Sequence, residues 1–212
     1  DFAVDPSNYC SLPDVGGLIC IANPNAPTGL TLSSEQIEDI LRSNMDKVVL
    51  IDEAYVDFGA QSALPLIRQY ENLLIVQTFS KSRSMAGARL GFAFAQAALI
   101  EDLETIKFST NPYNINRLTN AAGLAALASD SYFSENCSRI METRSWTKAA
   151  LEELGFTESD FRVAITCNDY DLTLAAVSRA LEEEPELKLV YMANFSVPAC
   201  VVAIRRAGKE GQ

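Results

Sequence analysis

Residues Gln77–Phe92, QTFSKSRSMAGARLGF, directly follow the apolar run Leu73–Val76. A short apolar run of this kind predicts a buried strand, and open α/β sheets bind their ligands at the ends of such strands. The stretch contains a single lysine, Lys81, with small hydroxyl residues beside it and Arg89 eight residues further on. This setting suits a Schiff base to an aldehyde cofactor that carries a phosphate. The alternative is that the stretch is a solvated loop with ordinary basic residues. Within the stretch, Arg83 is interpreted as a surface charge.

Two further apolar runs precede this one, and polar residues follow each of them. Leu18–Ala22 leads into the loop 23–29 with its two prolines, and Lys47–Ile51 leads into Asp52-Glu53-Ala54-Tyr55. Helical spacing after Ser33, with serine as N-cap and an acid in the first turn, predicts a crossover helix, and a second helical stretch is expected at 62–70. Strands separated in this way indicate an α/β fold with a mostly parallel sheet and helices on both faces. The three strand ends should lie side by side.

The remainder of the chain is predicted to contain one more strand, several helices and a small separate unit. The expected elements are a strand at 90–95, helices at 96–106, 115–129 and 131–154 with Gly155 as the stop, then a strand at 162–167, a helix at 172–184 and a strand at 187–192. The predicted organisation is therefore a large domain at 1–130, a connecting helix at 131–157 and a small C-terminal α/β unit at 158–212.

Composition narrows the class of partner. The 212 residues carry a formal net charge of -11 without clusters of lysine or arginine, which argues against a nucleic-acid surface and against docking on anionic lipid. No apolar run reaches the ~18 residues of a spanning helix, and the first residues lack the basic start of a signal peptide, so a cytoplasmic protein with a small-molecule partner is expected. Five scattered cysteines suggest reduced thiols, and the absence of histidine excludes serine–histidine hydrolases and most catalytic zinc sites.

Together the strand ends resemble those of the fold-type I pyridoxal-phosphate enzymes, and within them the class I/II aminotransferases similar to histidinol-phosphate aminotransferase. The motifs that carry the resemblance are NPNAPTG at 23–29, DEAY at 52–55, TFSK at 78–81 and AGARLG at 86–91, in this order and spacing. The resemblance continues through 111–117 and the long helix, and covers about residues 1–156. It implies a PLP-transferase-like large domain that is N-terminally incomplete, because the family's phosphate loop and ring-stacking aromatic precede the residues present here.

The resemblance implies that Lys81 holds pyridoxal phosphate (PLP) covalently and, once displaced by substrate, moves the proton between the substrate α-carbon and the cofactor. It implies that Asp52 pairs with the pyridine nitrogen, where a charge-assisted bond keeps the ring an electron sink. Tyr55 would donate its phenolic proton to the cofactor's 3-oxygen. The alternatives are a turn or helix cap for Asp52 and a packed aromatic with its hydroxyl in water for Tyr55.

The phosphate of the cofactor would be bound by Arg89 through its planar fork, helped by the hydroxyls of Thr78 and Ser80. The first motif departs from the family pattern, which has asparagine immediately before Pro-Thr-Gly. Ala26 occupies that position here, so either Asn25 takes over the contact to the 3-oxygen or the tyrosine acts alone.

The activity implied by the resemblance is transamination between an amino acid or amino-alcohol phosphate and a 2-oxo acid, in a homodimer whose sites are completed across the interface. Two alternatives stay open. One is a non-catalytic fragment or chimera, in which a partial aminotransferase domain is joined to an unrelated α/β unit. The other is a PLP-dependent decarboxylase or lyase on the same scaffold, because the cofactor residues alone do not choose which substrate bond breaks.

Overall fold

The structure, a computed structural model, describes residues 4–10, 12–13, 16–157, 169–187, 190 and 196–209. The chain divides into two compact units, Asp1–Ala150 and Leu151–Gln212. Among the described residues, none of the helices combines the length and the apolar character needed to cross a bilayer.

The first unit contains a sheet of four strands in the described part of the chain, in the order β1 (Leu18–Ala22), β2 (Val48–Asp52), β3 (Leu73–Thr78) and β4 (Gly91–Phe94). The first three strands are parallel, and β4 runs antiparallel beside β3. The register places Ala22 opposite Asp52 and Asp52 opposite Val76. The prediction that three parallel strands end side by side is therefore confirmed.

One face of the sheet carries the hydrophobic core, because alternate residues of each strand point to it. It is covered by helix α1 (Ser34–Ser43), whose side chains Ile37, Ile40 and Leu41 are fully or almost fully buried. The strand residues of this core are Ile19, Ile21, Val49, Ile51, Leu73 and Ile75.

The other face of the sheet is more open at β1 and β2. Leu18 is 59% exposed and Cys20 is exposed, whereas Leu50 of β2 is half-buried. Their β3 neighbour Leu74 is buried, with 7% exposure. Parallel sheets are usually covered on both faces, so this half-covered face is the one with room for further atoms.

Helix α1 begins where the sequence predicts. The Ser33 hydroxyl accepts the N–H of Gln36 at 3.2 Å, and the Gln36 side chain accepts the N–H of Ser33 at 2.8 Å, which completes a capping box. The helical stretch expected at 62–70 is instead a short 3₁₀ helix, Leu64–Arg68, with Pro65 in its first turn. Leu66 of this short helix still belongs to the hydrophobic core.

Three α-helices follow the sheet: α2 (Ala97–Thr110), α3 (Arg117–Leu127) and α4 (Asp130–Glu153). They confirm the predicted helices, with ends shifted by one to four residues. Few of their residues are buried, Gly123 of α3 and Cys137 of α4 among them. Gly155 has φ +85°, a conformation that glycine adopts without strain, and its N–H donates to the carbonyl of Glu152 at 2.9 Å, as expected for a helix stop.

The second unit contains helices α5 (Tyr170–Glu183) and α6 (Val197–Arg206) among its described residues. Val177 and Leu181 of α5 pack with Cys200 and Ala203 of α6 in a small separate core. The predicted strand at 162–167 lies outside the described residues, and so does most of the one predicted at 187–192.

Candidate active site

The loops that follow β1, β2 and β3 start from one edge of the sheet. Two backbone hydrogen bonds extend the ladder by a residue: Asn23 N donates to the carbonyl of Asp52, and Glu53 N donates to that of Val76, both at 2.9 Å. The side chain of Asn23 is buried and ties the proline loop down, since its Oδ1 accepts the N–H of Leu32 at 2.7 Å. The sheet itself thus holds the three motifs of the sequence next to one another.

Asp52 lies on the half-covered face of the sheet, because strand alternation puts it on the same side as Leu50. Its Oδ1 accepts the backbone N–H of Ala54 at 2.9 Å. Among the described residues, no hydrogen bond reaches its Oδ2. Thr78, which is two residues beyond the register partner Val76, lies on this same face. One carboxylate oxygen is therefore held by the turn while the other is available to a ligand.

Lys81 and Tyr55 come together in the structure. The Nζ atom of Lys81 lies 5.1 Å from the centroid of the Tyr55 ring. Lys81 is exposed and Tyr55 is half-buried at the start of a 3₁₀ helix, Val56–Phe58. A cation at this distance over an aromatic face is attracted by about 0.5–1 kcal/mol at an exposed site. The amine is therefore both accessible and directed toward the loop that follows Asp52.

The lysine loop is defined as residues 79–90, between β3 and β4. It contains Ser80 and Arg89, and Thr78 is the last residue of β3 directly before it. The Thr78 hydroxyl accepts the N–H of Ser80 at 3.1 Å and contacts the carbonyl of Leu90 at 3.4 Å. Arg89 is exposed, has φ +52°, and donates from Nη1 to the carbonyl of Ala86 at 3.1 Å. A left-handed arginine costs about 1–2 kcal/mol, and such strain clusters at functional sites.

Asn25 and Tyr55 line the same cleft, of about 570 Å³. The Asn25 side-chain amide donates to the hydroxyl of Thr28 at 2.7 Å, so it stabilises the proline loop from within. The full lining of the cleft is Pro24, Asn25, Ala26, Pro27, Gly29, Thr31, Tyr55, Phe58, Gly59, Ala60, Gln61 and Arg144.

Glu53 is a buried acid that the sequence interpretation did not single out. It is 1% exposed and points to the core face, opposite to Asp52. Its carboxylate accepts hydrogen bonds from Ser62 Oγ at 2.7 Å, Ala63 N at 2.6 Å and Gln77 Nε2 at 2.8 Å. The bond from Gln77 joins the end of β2 to the end of β3, and the other two join it to the segment before the 3₁₀ helix Leu64–Arg68. The alternation of β2 was the signal that could have identified it, because a buried carboxylate requires such partners.

Replacing Glu53 by alanine is expected to lower the free energy of unfolding by about 3 kcal/mol, because three donors lose their acceptor in a buried place. Urea unfolding followed by circular dichroism measures this. Glu35→Ala, on the exposed first turn of α1, is the matched control, with a change of about 0.5 kcal/mol or less. Equal effects in the two variants would contradict the network.

Arg83 is not the surface charge that the sequence interpretation assigned. It is half-buried, and its Nη1 donates to the carbonyl of Ala126 in α3 at 2.7 Å. That assignment is therefore wrong. No local sequence pattern predicts the contact between Arg83 and Ala126, because Ala126 lies 43 residues further along the chain.

The free thiols are expected to differ in reactivity. Burial raises the pKa of the Cys137 thiol, the Asp57 carboxylate adds to the rise, and Arg83 opposes it; burial also raises the pKa of Cys200. Only the thiolate is alkylated, so at pH 8 these two residues should react roughly tenfold or more slowly than the exposed Cys20. Iodoacetamide labelling followed by peptide mass spectrometry tests this, with the urea-unfolded chain as control. Equal rates in the folded chain would contradict the packing around Cys137 and Cys200.

The fold and the order of the motifs at the strand ends are those of one class of protein, the aminotransferases of class I and II. The sequence profile of aminotransferase class I and II matches residues 10–167, and the chain belongs to this family. The histidinol-phosphate aminotransferase of Clostridium acetobutylicum superimposes with a TM-score of 0.60 at 28% identity, over 66% of this chain and 43% of that one. The PLP-transferase fold, with its mostly parallel sheet, is thereby confirmed.

Within the family, the chain is similar to histidinol-phosphate aminotransferases. It is 51% identical over 156 residues to histidinol-phosphate aminotransferase 2 of Dechloromonas aromatica. This alignment covers 74% of this chain and 43% of that protein. It is 52% identical over 161 residues to the enzyme of Brachyspira hyodysenteriae, at 76% and 45% coverage. The matched part of the chain thus covers less than half the length of these relatives.

Proposed function

We propose that this chain carries out PLP-dependent transamination, in which an amino-alcohol phosphate similar to L-histidinol phosphate gives its amino group to a 2-oxo acid. The observation that carries the proposal is the accessible amine of Lys81, 5.1 Å from the ring centroid of Tyr55, in the loop that starts beside Asp52 at one edge of the sheet. Family membership and the names of the relatives support the same reaction.

The residues at this edge fit PLP by their chemistry. Lys81 offers an amine for the aldehyde, and Tyr55 offers a phenol for the 3-oxygen. Asp52 offers a carboxylate with one oxygen available for the pyridine nitrogen. This edge also offers an exposed guanidinium and two hydroxyls for a phosphate, in Arg89, Thr78 and Ser80. Bound here, PLP supplies an electron sink that stabilises negative charge on the substrate α-carbon.

Each side chain has a distinct task in this proposal. Lys81 would hold the cofactor through Nζ and would move the proton at the substrate α-carbon. Asp52 keeps a proton on the pyridine nitrogen through a charge-assisted hydrogen bond. Tyr55 donates its hydroxyl to the 3-oxygen, and Asn25, which lines the same cleft, is the second candidate for that contact. Arg89 orients the phosphate, with help from the hydroxyls of Thr78 and Ser80.

The substrate assignment rests on the relatives, which are about half identical to this chain over the matched region. It is tested by incubating the chain with PLP, L-histidinol phosphate and 2-oxoglutarate and measuring glutamate. Glutamate that forms only when both substrates are present supports the proposal. Release of carbon dioxide from an amino acid without any oxo acid would instead identify a decarboxylase.

We also propose that the protein acts in the cytoplasm as a homodimer. Large apolar side chains are exposed on α2, α3 and α4, among them Phe108 at 63%, Leu118 at 83% and Trp146 at 70%. Surface of this kind supports association, and the free cysteines among the described residues, Cys10, Cys20, Cys137 and Cys200, suit a reducing compartment. Light scattering should give a mass of two chains, and a mass of one chain would contradict the dimer.

A further inference from the structure

The lysine loop is held from one side by Ser82, the residue after Lys81. Ser82 is 5% exposed, and its hydroxyl donates to Asp57 Oδ2 at 2.5 Å. Asp57 belongs to the 3₁₀ helix 56–58, two residues after Tyr55. The contacts Lys81–Tyr55 and Ser82–Asp57 therefore join the same two segments at neighbouring points. Displacing Ser82 would also displace the lysine relative to the tyrosine.

Arg83 holds the loop from the other side. Its guanidinium carbon lies 4.1 Å from the ring centroid of Phe133 and 5.8 Å from that of Phe79. Its Nη1 donates to the carbonyl of Ala126 in the last turn of α3, and the C-terminal end of a helix favours a cation. Phe133 lies in the first turn of α4. Arg83 thus links the lysine loop to the end of α3 and the start of α4.

The backbone around Ser82 and Arg83 is tightly bent. Ser84 N donates to the carbonyl of Lys81 at 3.1 Å, and Met85 N donates to that of Phe79 at 2.9 Å. Ser84 has φ +56°, in the left-handed region that a serine rarely adopts. Such a conformation persists only when surrounding contacts over-determine it, and the bonds of Ser82 and Arg83 are contacts of this kind.

We propose that Ser82 and Arg83 are positioning residues that fix the backbone of Lys81, so that its amine stays over Tyr55. They set how readily Nζ reaches an aldehyde without touching the reacting atoms themselves. The expected effect of these residues on PLP binding rests on the proposed function. The loop geometry itself is also measurable without the cofactor.

The test compares the full chain with Ser82→Ala, Arg83→Met and Arg83→Lys. Arg139→Met is the matched control, because Arg139 lies on α4 and pairs with Glu135 at the surface. The first measurement is the PLP concentration that half-saturates borohydride-trapped attachment at Lys81. We expect Ser82→Ala and Arg83→Met to raise it about tenfold, since small misplacement of a reacting group is costly. Arg83→Lys should recover part of the loss, because lysine retains the cation over Phe133.

The second measurement needs no cofactor. Competitive acetylation of the chain without PLP gives the rate of Lys81 relative to the exposed Lys148 in the same sample. This ratio should change by roughly threefold in Ser82→Ala and Arg83→Met and stay constant in Arg139→Met. A changed ratio in a chain that never attaches PLP supports the positioning role while it refutes the proposed function.

The proposal is overturned if both measurements stay within about twofold of the parent chain in Ser82→Ala and Arg83→Met. Circular dichroism verifies that each variant is folded. Should Arg83→Met fail to fold, Ser82→Ala decides the outcome, because it removes a single hydroxyl whose bond to Asp57 is the direct link to the tyrosine segment.

Discussion

Replacing Lys81 by alanine is expected to abolish covalent attachment of PLP and to lower the rate of transamination by roughly 10²–10⁴-fold, because the proton at the substrate α-carbon loses its acceptor. The exposed side chain contributes little to the fold beyond its contact with the Tyr55 ring, so the free energy of unfolding should change by about 1 kcal/mol or less. Turnover at saturating L-histidinol phosphate and 2-oxoglutarate measures the first effect, and urea unfolding measures the second.

Two controls separate the chemistry of Lys81 from its charge. Lys81→Arg keeps the positive charge, but the guanidinium does not lose its proton in proteins, so this variant should be as inactive as the alanine variant. Lys107→Ala, on α2, removes a lysine that lies over the ring of Phe108 and should leave turnover unchanged. An Arg variant with near-normal turnover would show that the position supplies charge alone.

Asp52→Asn is expected to lower turnover by roughly 10²–10³-fold while PLP still attaches to Lys81. Asparagine retains an oxygen that can accept the N–H of Ala54, so the turn after β2 is preserved. It has no negative charge, however, and a neutral amide does not hold a proton on the pyridine nitrogen. Stopped-flow absorbance with excess cofactor separates attachment from turnover.

The matched control for Asp52→Asn is Asp39→Asn, since Asp39 is an exposed carboxylate on α1 whose side chain is 67% accessible. Its turnover should equal that of the parent chain. Asp52→Glu should recover part of the lost activity, because the charge returns on a longer side chain. If Asp52→Asn turned over at the parent rate, the carboxylate would have no part in the chemistry, and the role proposed for it would be wrong.

The sheet was predictable from sequence because its strands are short apolar runs that each end in polar residues. The register that brings Ala22, Asp52 and Val76 together follows from the strand ends. The start of α1 was predictable too, because Ser33 and Gln36 form a capping box. Local patterns of this kind need only the neighbouring residues.

Contacts between distant segments were not predictable in this way. Arg83 was interpreted as a surface charge because its partners on α3 and α4 lie far along the chain, and no motif relates them. The apolar run 199–204 is similarly ambiguous by pattern, and the structure shows it as part of α6, where it packs on α5. Tertiary packing decides both cases.

The residue to which PLP attaches can be determined directly. The full chain is incubated with PLP, reduced with borohydride, digested and mapped by mass spectrometry. We expect one cofactor per chain, on the peptide that contains Lys81, with the other five lysines unmodified and no attachment in Lys81→Ala. Cofactor spread over several lysines, or none at all with excess PLP, would contradict the role proposed for Lys81.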